Sequence, residues 1–137
     1  MVEHMYKHLS EKGKNWIHKS IEDCMTYAKY HVGMFFNSEE LKNTFADSIE
    51  ILIGNNNIEW INRHNPIVIT IHLVNGSTVS LFNASNLPAA IGIRYNCIIY
   101  DIAIDGRYER AIKSMVAPYG RDGEILFEYK LYEIEFK

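Results

Sequence analysis

An Asn75-Gly76 pair separates two β-branched runs, IVITIHLV (67–74) and STVSLF (77–82). This is the feature that most narrows what the chain can fold into. Asn and Gly tolerate positive φ, so the pair predicts a tight antiparallel hairpin with a type I′ turn. A second apolar run, CIIYDIA (97–103), is nearly unbroken, as a strand covered on both faces requires. Before these runs the pattern is helical. Ile17, Ile21, Cys24 and Ala28 recur at helical spacing across Lys14 to Tyr30. Leu41, Phe45, Ile49 and Leu52 form a second apolar stripe. Asn37 or Ser38 can cap that second helix, Glu39 and Glu40 suit its positive end, and Gly54 is a natural stop.

The remaining segments complete an α/β (or α+β) reading. His31 to Phe36 is a short apolar run, either a strand or a helix tail, and GNNNIEWINRHNP reads as a loop with a short ordered piece at Ile58 to Ile61. Asn83 to Ala90 reads as a polar loop, Arg107 to Val116 as a short helix stopped by Pro118, and residues 124–137 as an amphipathic edge strand or hairpin. In that last segment Ile125, Phe127, Tyr129 and Leu131 share one side, and Glu128 and Lys130 the other. The expectation is a mixed sheet of about five strands, with the hairpin, packed by two or three helices. A chain of 137 residues fits one domain, 1–137, with residues 1–13 frayed or briefly helical.

Composition removes several functions. The formal net charge of −3 disfavours bulk nucleic-acid binding, although a local basic patch stays open. The first residues, MVEHMYKHLSEKGK, are polar, and no apolar run reaches membrane-spanning length, so the expected location is the cytoplasm, that of a host cell if the gene is a phage's. Cys24 and Cys97 form no CxxC and read as reduced, buried thiols rather than a disulfide or zinc site. GxSxG is absent, and His4 and His8, spaced i, i+4, have no evident third metal ligand nearby. Abundant Ile, Asn, Lys and Tyr suit an AT-rich coding genome, such as that of a low-GC bacterium or its phage.

Residues 67–118 resemble part of the large subunits of phage terminases, the ATPases that package DNA. The text that carries the resemblance is ITIHLVNGSTVSLFNASN, then AAIGIRYNCIIYD, then IDGRYERAIKSMVAP, with HVGMFFNSEELKNTFADSIEIL like that family's upstream strand and helix. The resemblance implies a Walker B strand ending at Asp101. It also implies that the strands at 31–36, 67–74 and 97–103 run parallel. It departs from the family where hydrolysis is done. A P-loop needs GxxxxGK followed by Ser or Thr, so that backbone N–H groups wrap the phosphates. Here Gly13-Lys14 is followed by Asn15, and His8 stands where the first glycine belongs. Walker B needs an acid after the metal-binding Asp, and this chain has Ile102.

Two constellations could hold a ligand. Phe82, Asn83, Asn86, Arg94 and Tyr95 offer aromatic faces, amides and a guanidinium, a set that suits a nucleotide, and Arg107 and Arg110 could add phosphate contacts; the alternative is a polar surface loop with buried aromatics. Asp101 and Asp105 could share a cation; the alternative is a strand-end carboxylate plus a helix cap. No cofactor is implied. Three functions follow: a non-catalytic phage-type accessory module capturing a nucleotide-like ligand or a host protein such as a defence component; a degenerate terminase-like module binding DNA or a packaging partner; or a small metal-dependent hydrolase. The C-terminal strand offers an edge that a second copy could extend, which points to a homo-oligomer.

Overall fold

The computed structural model describes residues 2–65, 67–84, 95–115 and 130–136. The elements run α1 (Val2–Tyr6), α2 (Glu11–Thr26), β1 (His31–Phe36), α3 (Glu39–Ile53), a 3-10 turn at Asn55–Asn57, β2 (Ile58–Asn62), β3 (Val68–Leu73), β4 (Thr78–Asn83), β5 (Cys97–Asp101), α4 (Gly106–Ser114) and β6 (Lys130–Ile134). The fold is α/β: a six-stranded mixed sheet in the order β2-β3-β4-β1-β5-β6, with four helices among the described residues.

Local chemistry sets the helix ends. Ser10 Oγ accepts from the Gly13 N–H at 3.1 Å and starts α2 three residues before the expected Lys14. Gly13 thus lies inside the helix. Ser38, rather than Asn37, caps α3, its Oγ accepting from the Leu41 N–H at 3.2 Å. Gly54, at φ 84°, ends α3 in a conformation that other residues resist.

The Asn75-Gly76 hairpin forms, with a different turn. Gly76 N–H donates to Leu73 O at 3.0 Å, and Leu73 N–H to Ser77 O at 2.9 Å, which leaves three residues in the loop. Only Gly76, at φ 88°, has positive φ there. The turn is therefore the three-residue kind, with glycine in the left-handed position, and not type I′. That turn leaves Asn75 at negative φ, and its side chain reaches across to α2. Its Nδ2 donates to the carbonyls of Cys24, Met25 and Tyr27 at 2.8, 3.5 and 3.3 Å. Ser77 Oγ donates to Tyr27 O at 2.7 Å. The hairpin turn thereby closes the carboxyl end of α2, whose last carbonyls have no helical partner.

The short ordered piece expected at Ile58 to Ile61, within an Asn-rich loop, is β2, which pairs antiparallel with β3 through a bulge between Ile58 and Trp60. Ile58 and Ile61, the ends of that piece, pack on the main cluster. In the core of the sheet, β1 pairs parallel with both β4 and β5, and β5 pairs parallel with β6. The parallel set expected to include 67–74 instead contains the second arm of the hairpin: β3 is antiparallel to β4. The reason is the tight turn itself, which forces one arm to run against the other.

Two apolar clusters flank the sheet. On one face Val32, Met34, Phe36, Val79, Leu81, Cys97 and Ile99 pack against α1, α2 and α3. On the other, Phe35, Phe82, Tyr95, Ile98 and Tyr100 pack with Ile104, Ile112 and Met115 from α4 and its flanks. Strand β5 is covered on both faces and all five of its residues are buried, as its unbroken apolar run required. No helix among the described residues is long and apolar enough to cross a membrane.

Candidate functional site

The parallel strands β4, β1, β5 and β6 end together, and this carboxyl edge is where open α/β sheets bind ligands. Asp101 closes β5 there. It is buried, its Oδ1 accepts from the Ala103 N–H at 2.8 Å, and the Asn37 N–H beyond β1 also bonds its carboxylate. Burial pushes the Asp101 carboxyl above the usual carboxylate range, and the two backbone donors only partly offset this.

The first turn of α2 lies beside the same edge. A Cβ on Gly13 would stand 3.5 Å from Ile134 Cγ2, and Ile134 is the register partner of Asp101. The geometry thus sets Gly13 against the end of β6, one strand from Asp101. Lys14 is turned to its own surroundings: Nζ lies 3.2 Å from Glu11 Oε1 and 5.2 Å from the Tyr6 ring centre. The residue after Asp101, Ile102, is 54% exposed and brings no acid.

The start of α3 completes the edge with groups that sequence reasoning missed. Lys42 is buried, and its ammonium is held by Glu39 one turn back. Glu39 also accepts from Asn83 Nδ2 at 3.2 Å, tying α3 to the end of β4. The Lys42 ammonium and the Asn83 amide hold the Glu39 carboxyl below its ordinary range. The Glu39–Lys42 spacing, i to i+3, was the available sequence signal.

Of the residues expected to form a nucleotide pocket, the structure brings Phe82 and Tyr95 together inside the core. The Phe82 ring is 2% exposed and Tyr95 1% exposed. Phe82 stacks on Phe35 at 4.9 Å and 6°, with Tyr95 edge-on to both. These rings belong to the second core cluster, as the buried-aromatic reading of this stretch has it. Asn83 is engaged by Glu39. Asn86 and Arg94 lie outside the described residues. Arg107 and Arg110 are exposed on α4, and Arg107 pairs with Asp105 at 3.1 Å and lies 5.5 Å from the Tyr108 ring centre.

Asp101 and Asp105 take up the strand-end and helix-cap roles. Asp105 Oδ1 accepts from the Arg107 N–H at 2.9 Å and caps α4, and these bonds lower its carboxyl pKa. Among the described residues no group of three or more His, Cys, Asp or Glu side chains could hold a metal ion.

No family model matches the sequence, and none of the curated proteins does. Among solved structures, the chain is similar to the large terminase of a thermophilic bacteriophage, seen in two crystal forms. The first aligns with a TM-score of 0.50 and 12% identity, over 89% of this chain and 36% of the terminase. The second gives the same score and identity over 95% of this chain and 38% of that one. The likeness is one of fold, and the chain spans little more than a third of the terminase's length.

Proposed function

We propose that this chain is a terminase-like ATPase module without hydrolytic activity, which acts by binding DNA or a protein of a packaging assembly. The observation that carries the reading is the end of β5. Asp101 stands at the carboxyl edge of the parallel sheet, where a Walker B aspartate would stand, and the next position is an exposed isoleucine. The fold likeness to a large terminase supports the ancestry. The engaged Lys14 and the helical Gly13 support the loss of phosphate binding, because a P-loop cradle needs glycine backbone outside a helix and an available ammonium.

The test is ATP turnover with magnesium, together with titration against duplex DNA across a salt series. The expected result is no turnover, with either salt-sensitive DNA binding or, in its absence, association with a packaging protein. Magnesium-dependent turnover abolished by Asp101→Asn would overturn the reading and restore the hydrolase.

A further inference from the structure

Strand β2 is one edge of the sheet, and Trp60 stands in it with 51% of its surface exposed. Its register partner on β3 is His72, so the two rings rise from the same face of the sheet. They lie parallel, with centres 4.2 Å apart and planes 5° apart. His72 therefore covers the indole face that looks inward across the sheet. The other indole face looks outward past the edge, where another strand would lie.

An indole face attracts cations through its quadrupole. The molecule already holds a complete example. Trp16 stacks on Tyr132 at 4.8 Å and 11°, and Lys12 Nζ stands over the Trp16 ring at 4.8 Å. Trp60 has the stacked ring and, among the described residues, lacks the cation. Its setting is acidic. Glu59 is exposed in the bulge beside it, and Arg63 is held by Asp47 and Glu50 at 3.1 and 3.0 Å. Arg63 is drawn to α3 on the helix side of the sheet with Ile61, so the charge beside Trp60 is the carboxylate of Glu59. That setting repels phosphates and favours a cation.

We propose that the outer face of Trp60 docks an arginine side chain of a protein partner, carried on an extended segment lying along the β2 edge. Arginine fits better than lysine because its planar guanidinium stacks on the ring. The edge backbone from Trp60 to Asn62 supplies hydrogen-bonding groups for the segment, and the bulge between Ile58 and Trp60 breaks the regular register beyond it. The inference does not depend on the terminase likeness.

The experiment follows the two indole N–H resonances by NMR, assigned with Trp60→Phe. The probe is the peptide acetyl-Thr-Val-Arg-Val-Thr-amide, with a glutamate-centred version and AMP as comparisons. The arginine peptide is expected to shift the Trp60 indole signal saturably, and the glutamate peptide to leave it in place. Trp60→Ala should abolish peptide-induced shifts in the amides of Asn62 and His72 while the melting temperature stays unchanged. Glu59→Gln should weaken binding about two- to fivefold, the scale of an exposed cation–ring contact. No shift with the arginine peptide, equal shifts with the glutamate peptide, or tighter binding of AMP would each overturn the proposal.

Discussion

Gly33 lies under the ring of Tyr95, and a Cβ at that position would come within 3.1 Å of both Cγ and Cδ2. Tyr95 is fully buried and cannot swing aside. Gly33→Ala should therefore destabilise the protein by about 1–3 kcal/mol, as overpacking of a filled core does; urea denaturation measures it. Glu39 gives a second expectation with a pH signature. Its carboxyl is held below its ordinary range in the fold, so it contributes stability above the unfolded carboxylate pKa and loses it as pH falls through the lowered value. Glu39→Gln leaves the buried Lys42 ammonium with a weaker acceptor and should destabilise by about 1–2 kcal/mol at neutral pH. The gap to the parent should close on acidification below the ordinary carboxylate range. A gap that persists there would mean that Lys42 is stabilised by something other than Glu39. Ser38 and Gly54 were legible as cap and stop because capping is decided within four residues. The burial of Phe82 and Tyr95 could be read only as one of two alternatives, because their neighbours in sequence are polar and depth is set by strands that lie far away along the chain.

The pairing of α2 with β6 shows the same limit among elements. Asp23 is buried on α2 and takes Lys130 Nζ at 2.9 Å and Lys19 Nζ at 3.3 Å. Asp23 raises the Lys130 pKa in return. Lys130 alternates with apolar neighbours and so reads as a solvent-side residue. In the fold Lys130, Tyr132 and Ile134 face α2, and Leu131 packs on the opposite cluster. The earlier members of that stripe, Ile125, Phe127 and Tyr129, lie outside the described residues. Asp23→Asn removes the anchor shared by both lysines. It should loosen β6 first, by about 1–2 kcal/mol given that both lysines are partly exposed. Hydrogen exchange reads this directly: β6 amides should exchange faster while those of β1 and β4 keep their protection. Equal loss across the sheet would show that the pair supports the whole fold rather than one strand.

For the whole molecule, the alternation of helix and strand, the one hairpin and the covered apolar run were sufficient to indicate an α/β sheet. The ordered piece Ile58 to Ile61 was legible, but not its place as a sheet strand, since β2 has only two core-facing apolar residues amid asparagines. Both thiols sit inside the helix-side cluster. Burial pushes the Cys24 pKa well above its ordinary value, and that of Cys97 up to about 12. Neither thiolate is then populated in the fold. Thiol reagents should label both cysteines at the rate of global unfolding and at the same rate as each other, followed by mass spectrometry under native conditions. Faster labelling of Cys97 would reveal a separate opening of β5 from α2.

The end of α2 has one more consequence. Its last carbonyls are met by Asn75 and Ser77, about fifty residues later in the chain. A ribosome therefore releases this helix well before its final turn can be secured, and the early chain must wait for the hairpin. The same dependence makes the chain a natural subject for splitting. Severed between Gly54 and Ile58, the two pieces should each remain largely unfolded alone and regain native helicity on mixing, because each holds what the other needs to finish its own local structure.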